Sequence, residues 1–119
     1  MLLVDTSVWV DHLRRNDPAL VTALLDGRVV CHPHIIGELA LGSLAHRVAI
    51  LTLLRALPGV TVAQDDEVLT VIEQRQLFGR GIGFVDCHLL ASLLLTPGTA
   101  LWTRDKRLAD VAAELQRHG

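Results

Sequence analysis

Apolar and polar positions alternate along this chain in short blocks rather than with one sustained period. Leu2-Leu3-Val4 is a continuous apolar run closed by Asp5, the pattern of a short strand buried on both faces. Thr6 or Ser7 then caps a helix reaching about Arg15. Asp17-Pro18 reads as an N-cap followed by a first-turn proline, and Gly27 as a stop, so 18–26 is a second helix. The run 28–32 is a second strand, broken by Pro33. Residues 34–57 are helical with a break near Gly42-Ser43, and Pro58-Gly59 ends them. Residues 60–63 (VTVA) are expected as a third strand, followed by a helix capped at Asp65 or Asp66 and running to about Phe78. Gly79, Gly81 and Gly83 form a flexible loop before a helix from about Val85 to Leu95. A turn at Pro97-Gly98, a fourth strand at 99–103 and a last helix at 105–117 complete the chain. Strands separated by helical crossovers predict an α/β sandwich around a parallel sheet.

Composition narrows the class. The 119 residues are half apolar and one-fifth charged, which excludes intrinsic disorder and suits one domain, 1–119. Two cysteines, Cys31 and Cys87, make no disulfide framework and read as buried thiols. No apolar run reaches the length of a membrane span, and Asp5 interrupts an N-terminus that lacks a basic leader region, so a cytoplasmic protein is expected. The net charge of −2 does not announce a nucleic-acid binder, and four aromatic residues are few for base stacking. The acids are nonetheless unevenly placed: Glu38 is the sole carboxylate in 27–64, and Asp86 the sole one in 74–104.

In open parallel sheets, function sits beyond the carboxyl ends of the strands, at the point where strand order reverses. With order 3-2-1-4, Asp5 ends the first strand and Asp105 follows the fourth, so both face one crevice. Asp86 opens the helix leading into the fourth strand, and Glu38 lies a turn into the helix after the second. Each Asp has a plainer role as a helix cap, and Glu38 as a side chain reaching solvent. Capping accounts for the acids singly and not for four of them at one edge. Carboxylates that close stay ionised only around a cation, and an all-oxygen set selects Mg²⁺ or Mn²⁺, metals suited to phosphodiester hydrolysis. Thr6 and Thr103 are placed to support such a site by hydrogen bonding. With the four acids neutralised, eleven basic residues face nine acids, a net of +2.

The segments VDTSVWVD, HIIGELALG, GIGFVDCHLLAS and LWTRDKRLADVA, in this order, resemble the PIN-domain ribonucleases, and within them the VapC toxins of bacterial toxin–antitoxin pairs. The resemblance implies a PIN-like three-layer sandwich with a short parallel sheet of about four strands, although the fifth strand of many members is missing. It implies an endoribonuclease dependent on Mg²⁺ or Mn²⁺, with Asp5, Glu38, Asp86 and Asp105 as catalytic metal ligands and Thr103 as the family's hydroxyl. It also implies an RNA substrate (tRNA, rRNA or mRNA), a homodimer, and a small VapB-type antitoxin that pushes an arginine into the acidic site.

Arg14, Arg15, Arg80, Arg104, Lys106 and Arg107 adjoin the predicted mouth and are the candidates for holding RNA phosphates. The stretch 44–57 carries more apolar residues than one helical face buries, a surplus suited to a dimer or antitoxin groove. Cys31, His32 and His34 lack the further ligand pair that a structural zinc site needs, so they read as a core thiol and loop histidines. A housekeeping RNA-processing nuclease of the same family would carry the same acids. A receiver-like signalling domain would use Asp65 or Asp66 and Lys106, but it leaves Glu38 without a task.

Overall fold

The computed structural model describes residues 1–118, with side chains through Gln116. Strand β1 (Leu2–Val4) forms the centre of a parallel sheet, between β2 (Val29–Val30) and β3 (Ala100–Trp102). Leu3 stands opposite Val30 on one side and Leu101 on the other. Leu3 and Val4 are fully buried, as a strand covered on both faces requires.

Around the sheet lie α1 (Thr6–Arg15), α2 (Pro18–Leu25), α3 (Pro33–Ala40), α4 (Arg47–Ala56), α5 (Asp65–Gln74), α6 (Phe84–Leu95) and α7 (Lys106–His118). The break expected near Gly42-Ser43 separates α3 from α4. Helix α6 is buried from Cys87 through Leu93, which explains why its sequence shows no polar face. Asp17 caps α2 through Oδ1, which accepts from the N–H groups of Ala19 and Leu20. Gly27 (φ +66°) turns the chain out of α2 and into β2.

The structure differs from the sequence pattern in two elements. Residues 60–63 form no strand: beside β2 there is one parallel bridge, Cys31 to Gly59. Cys31 N–H donates to Pro58 O, and Val60 N–H donates to Cys31 O. Beyond that rung the second strand has nothing to offer, because Pro33 lacks an N–H and begins α3. Thr61 N–H turns instead to the Thr96 hydroxyl, 3.0 Å away. The sheet thus holds three strands, in the order expected for its inner part. Helix α5 also stops at Gln74 rather than near Phe78. Gln76 takes a left-handed conformation (φ +53°), while Leu77 N–H bonds Ile72 O and Gln76 N–H bonds Glu73 O. That is a Schellman turn, closed by burying Leu77.

Candidate active site

Asp5 is delivered to the carboxyl edge of the sheet by β1 and is almost wholly buried. It occupies the N-cap position of α1, yet its carboxylate caps nothing; its backbone carbonyl accepts from Val8 and Trp9. The side chain is held by two hydroxyls instead. Ser7 Oγ donates to Asp5 Oδ2 at 2.8 Å, and Thr103 Oγ1, just past β3, donates to the same oxygen at 2.7 Å. Each hydroxyl then accepts a backbone N–H from the segment leading to α7: Arg104 N–H to Ser7, Asp105 N–H to Thr103. Each hydroxyl proton is committed to Asp5, so the 3.3 Å approach of Ser7 Oγ to Thr103 Oγ1 is proximity rather than a further bond. Asp5 Oδ1 takes no donor among the described residues.

Asp86 stands on the first turn of α6, where Oδ2 accepts the Gly83 N–H at 3.0 Å. Burial pushes its carboxyl above the ordinary range; the Gly83 bond works against this, and the negative charges of Asp5 and Asp105 push further upward. These three acids therefore share one electrostatic environment. Asp105 doubles as the cap of α7, with Oδ1 accepting Leu108 N–H at 3.1 Å. Glu38, on α3, is exposed and accepts the Thr6 hydroxyl on Oε1 at 2.9 Å, with no contact to the other three acids among the described residues. Among the described residues no three His, Cys, Asp or Glu side chains meet closely enough to cage a metal ion. The donor chemistry still fits a hard divalent cation: carboxylates only, one with an oxygen that takes no donor among the described residues, and one held partly against ionisation by burial and then by its neighbours' charge.

The basic residues divide sharply. Arg80 forms two bonds to Glu114, at 2.8 and 2.9 Å. Arg104 bridges Asp11 and Asp17, each at 2.6 Å, tying the end of β3 to α1 and α2. Lys106 lies near Asp110 at 3.5 Å and is otherwise in solvent. Arg14 lines a cleft of about 400 Å³ beside Glu38, with Val10, Leu13, Leu39, Leu44 and Ile50. Arg107 lies against the Gly81 backbone.

Ser7 is a site residue that sequence reasoning missed, because a hydroxyl after a strand reads as a helix cap. The structure also joins His32 and His34 to His88, with His34 and His88 ring centres 4.6 Å apart and Asp65 Oδ1 2.9 Å from His88 Nε2.

The PIN domain model matches residues 2–114. "Ribonuclease VapC32" of two Mycobacterium tuberculosis strains, CDC 1551 / Oshkosh and ATCC 25618 / H37Rv, is in each case 52% identical over 114 residues. The alignment covers 96% of this chain and 92% of each relative. A parallel sheet with acids gathered at its carboxyl edge, matched from the first strand to the last helix, places the chain in the PIN-domain family.

Proposed function

We propose that this protein is a Mg²⁺- or Mn²⁺-dependent endoribonuclease, the toxin of a toxin–antitoxin pair. The observation that carries the reading is a buried Asp5 carboxylate locked by two hydroxyls, close enough, with Asp105, for its charge to bear on a half-buried Asp86. Asp5, Asp86 and Asp105 would hold the metal, with Glu38 contributing from α3. A bound divalent ion supplies an activated water and charge neutralisation at the phosphate. The chain's own contribution is orientation: Ser7 and Thr103 fix one oxygen of Asp5 and leave the other open. Gly83 N–H fixes Asp86, and the Leu108 N–H fixes Asp105.

RNA is the substrate, met in the cytoplasm, and the exposed Arg14, Arg15, Lys106 and Arg107 are the basic side chains offered to its phosphates. Arg80 and Arg104 act first as tethers within the fold. The apolar cleft beside Glu38 suits a segment of a VapB-type antitoxin, and the exposed Val48 and Leu53 of α4 suit a second copy of the chain.

The test is cleavage of a total RNA pool with Mg²⁺, Mn²⁺ or EDTA, by the wild type and by Asp5→Asn and Asp86→Asn. Cutting that needs the metal and disappears in both variants is the expected result. Robust cutting in EDTA, or by both variants, would overturn the metal site.

A further inference from the structure

The loop ahead of α6 contains a glycine whose missing side chain has a specific neighbour. Gly81 has φ +78°, and a Cβ built there would lie 2.5 Å from Arg107 Nη1, 2.9 Å from Cδ and 3.2 Å from Cζ. Arg107 therefore lies along bare backbone, in space that any other residue at 81 would claim. The positive φ is the strict demand on this residue; the occupied Cβ position adds a second, which Arg107 meets only by leaving its seat. Gly79 in the same loop has φ +70° and no atom within 4 Å of its Cβ position.

The partners of Arg107 matter as much as its seat. Arg80 and Arg104 spend their guanidinium groups on Glu114, Asp11 and Asp17. Arg107 has no ion pair or hydrogen bond from its side chain among the described residues. It stands two residues after Asp105 and rests on the loop whose Gly83 N–H holds Asp86. A guanidinium without an ion pair among the described residues thus lies between the segments that carry Asp86 and Asp105.

We propose that Gly81 is a positioning residue that seats Arg107 as a phosphate-binding fork for the RNA strand crossing the acidic edge. This rests on the ribonuclease reading. Arginine presents a planar set of donors that matches two phosphate oxygens at once, and a fork already laid against backbone loses less freedom on binding.

The experiment measures binding of a fluorescein-labelled single-stranded RNA that the wild type cleaves, using the Asp5→Asn background to prevent turnover. Affinity is read between 50 and 200 mM salt for Gly81→Ala, Gly79→Ala, Arg107→Gln and the Gly81→Ala/Arg107→Gln pair. Arg107→Gln is expected to weaken binding about tenfold at low salt and to reduce the salt slope by about 0.7, one single-strand phosphate contact. Gly81→Ala should reproduce most of that loss, and should add nothing once Arg107 is Gln. Gly79→Ala carries the same backbone strain without the contact and should leave the slope unchanged. Equal effects of Gly81→Ala and Gly79→Ala, or an undiminished effect of Gly81→Ala in the Arg107→Gln background, would overturn the proposal. Should Gly81→Ala unfold the chain, an unchanged slope in Arg107→Gln overturns it alone, and the reduced slope supports it. Failure of the wild type to cleave any RNA would instead remove the ribonuclease reading beneath it.

Discussion

Asp5 is gripped at one oxygen by two hydroxyls, one two residues ahead and one 98 residues away. Two donors on one oxygen set the rotamer of the carboxylate and satisfy it in a buried position, where an unpartnered polar group would be costly. Ser7 also accepts the Arg104 N–H, so it couples that rotamer to the backbone carrying Asp105. Ser7→Ala removes both links while leaving the four acids in place. Partners that orient metal ligands contribute about 10–100-fold to metal affinity or activity when removed. The expected outcome is a Mn²⁺ titration of cleavage displaced upward by about that factor, with a folded protein by circular dichroism. An unchanged midpoint and rate would reduce Ser7 to an ordinary helix-start hydroxyl. The place of Asp5 at a strand end was legible from the apolar run before it, and that of Asp105 from the run before the last helix. Ser7 was not, since its role exists only once β3 brings Thr103 alongside β1.

At the scale of elements, local chemistry announced the boundaries wherever a residue type was decisive. Asp17-Pro18, Pro33, the break before α4 and Gly27 all act where their chemistry places them. The end of α5 gave no such sign, because Gln76 adopts a conformation usually left to glycine and is compensated by the burial of Leu77. The missing strand at 60–63 is likewise a matter of supply: its residues favour β structure, but the neighbouring strand runs out of partners at Cys31. Helix α4 shows a third case, in which apolar content exceeds what packing uses. Leu54 is its one fully buried side chain, while Val48 is 80% exposed. The docking of α4 therefore hangs largely on Leu54. Leu54→Ala should cost about 3 kcal/mol by lost burial and residual cavity. Urea unfolding would show this as a lower midpoint at an unchanged slope. A loss below about 1 kcal/mol would mean that Ile50 and Leu51 hold the helix without it.

At the scale of the molecule, one core cluster runs from β1 through α6 to α7, and it encloses polar atoms without a hydrogen-bond partner among the described residues. His32 is the most exacting of these. Its ring is fully buried, and Nδ1 accepts the His34 N–H at 3.0 Å, so the neutral ring carries its proton on Nε2. Charging the ring would place a second donor against that N–H and an ion in the core. Burial first, then the neighbouring His34 and His88, push its pKa down to about 4. The unfolded chain binds this proton near 6.5, above the folded value, so acid favours the unfolded state. The stabilisation is present above about pH 6.5 and is lost as pH falls toward and through 4. A difference of this size amounts to about 3 kcal/mol, a large share of the roughly 5–15 kcal/mol typical of a domain. His32→Asn offers an oxygen to the same N–H, keeps the cap of α3 and removes the titration. Urea unfolding of both proteins at pH 7, 5.5 and 4 should show the wild type losing about 3 kcal/mol more than the variant across that range. Parallel losses would place the acid sensitivity on the carboxylates instead, since these titrate identically in the two chains.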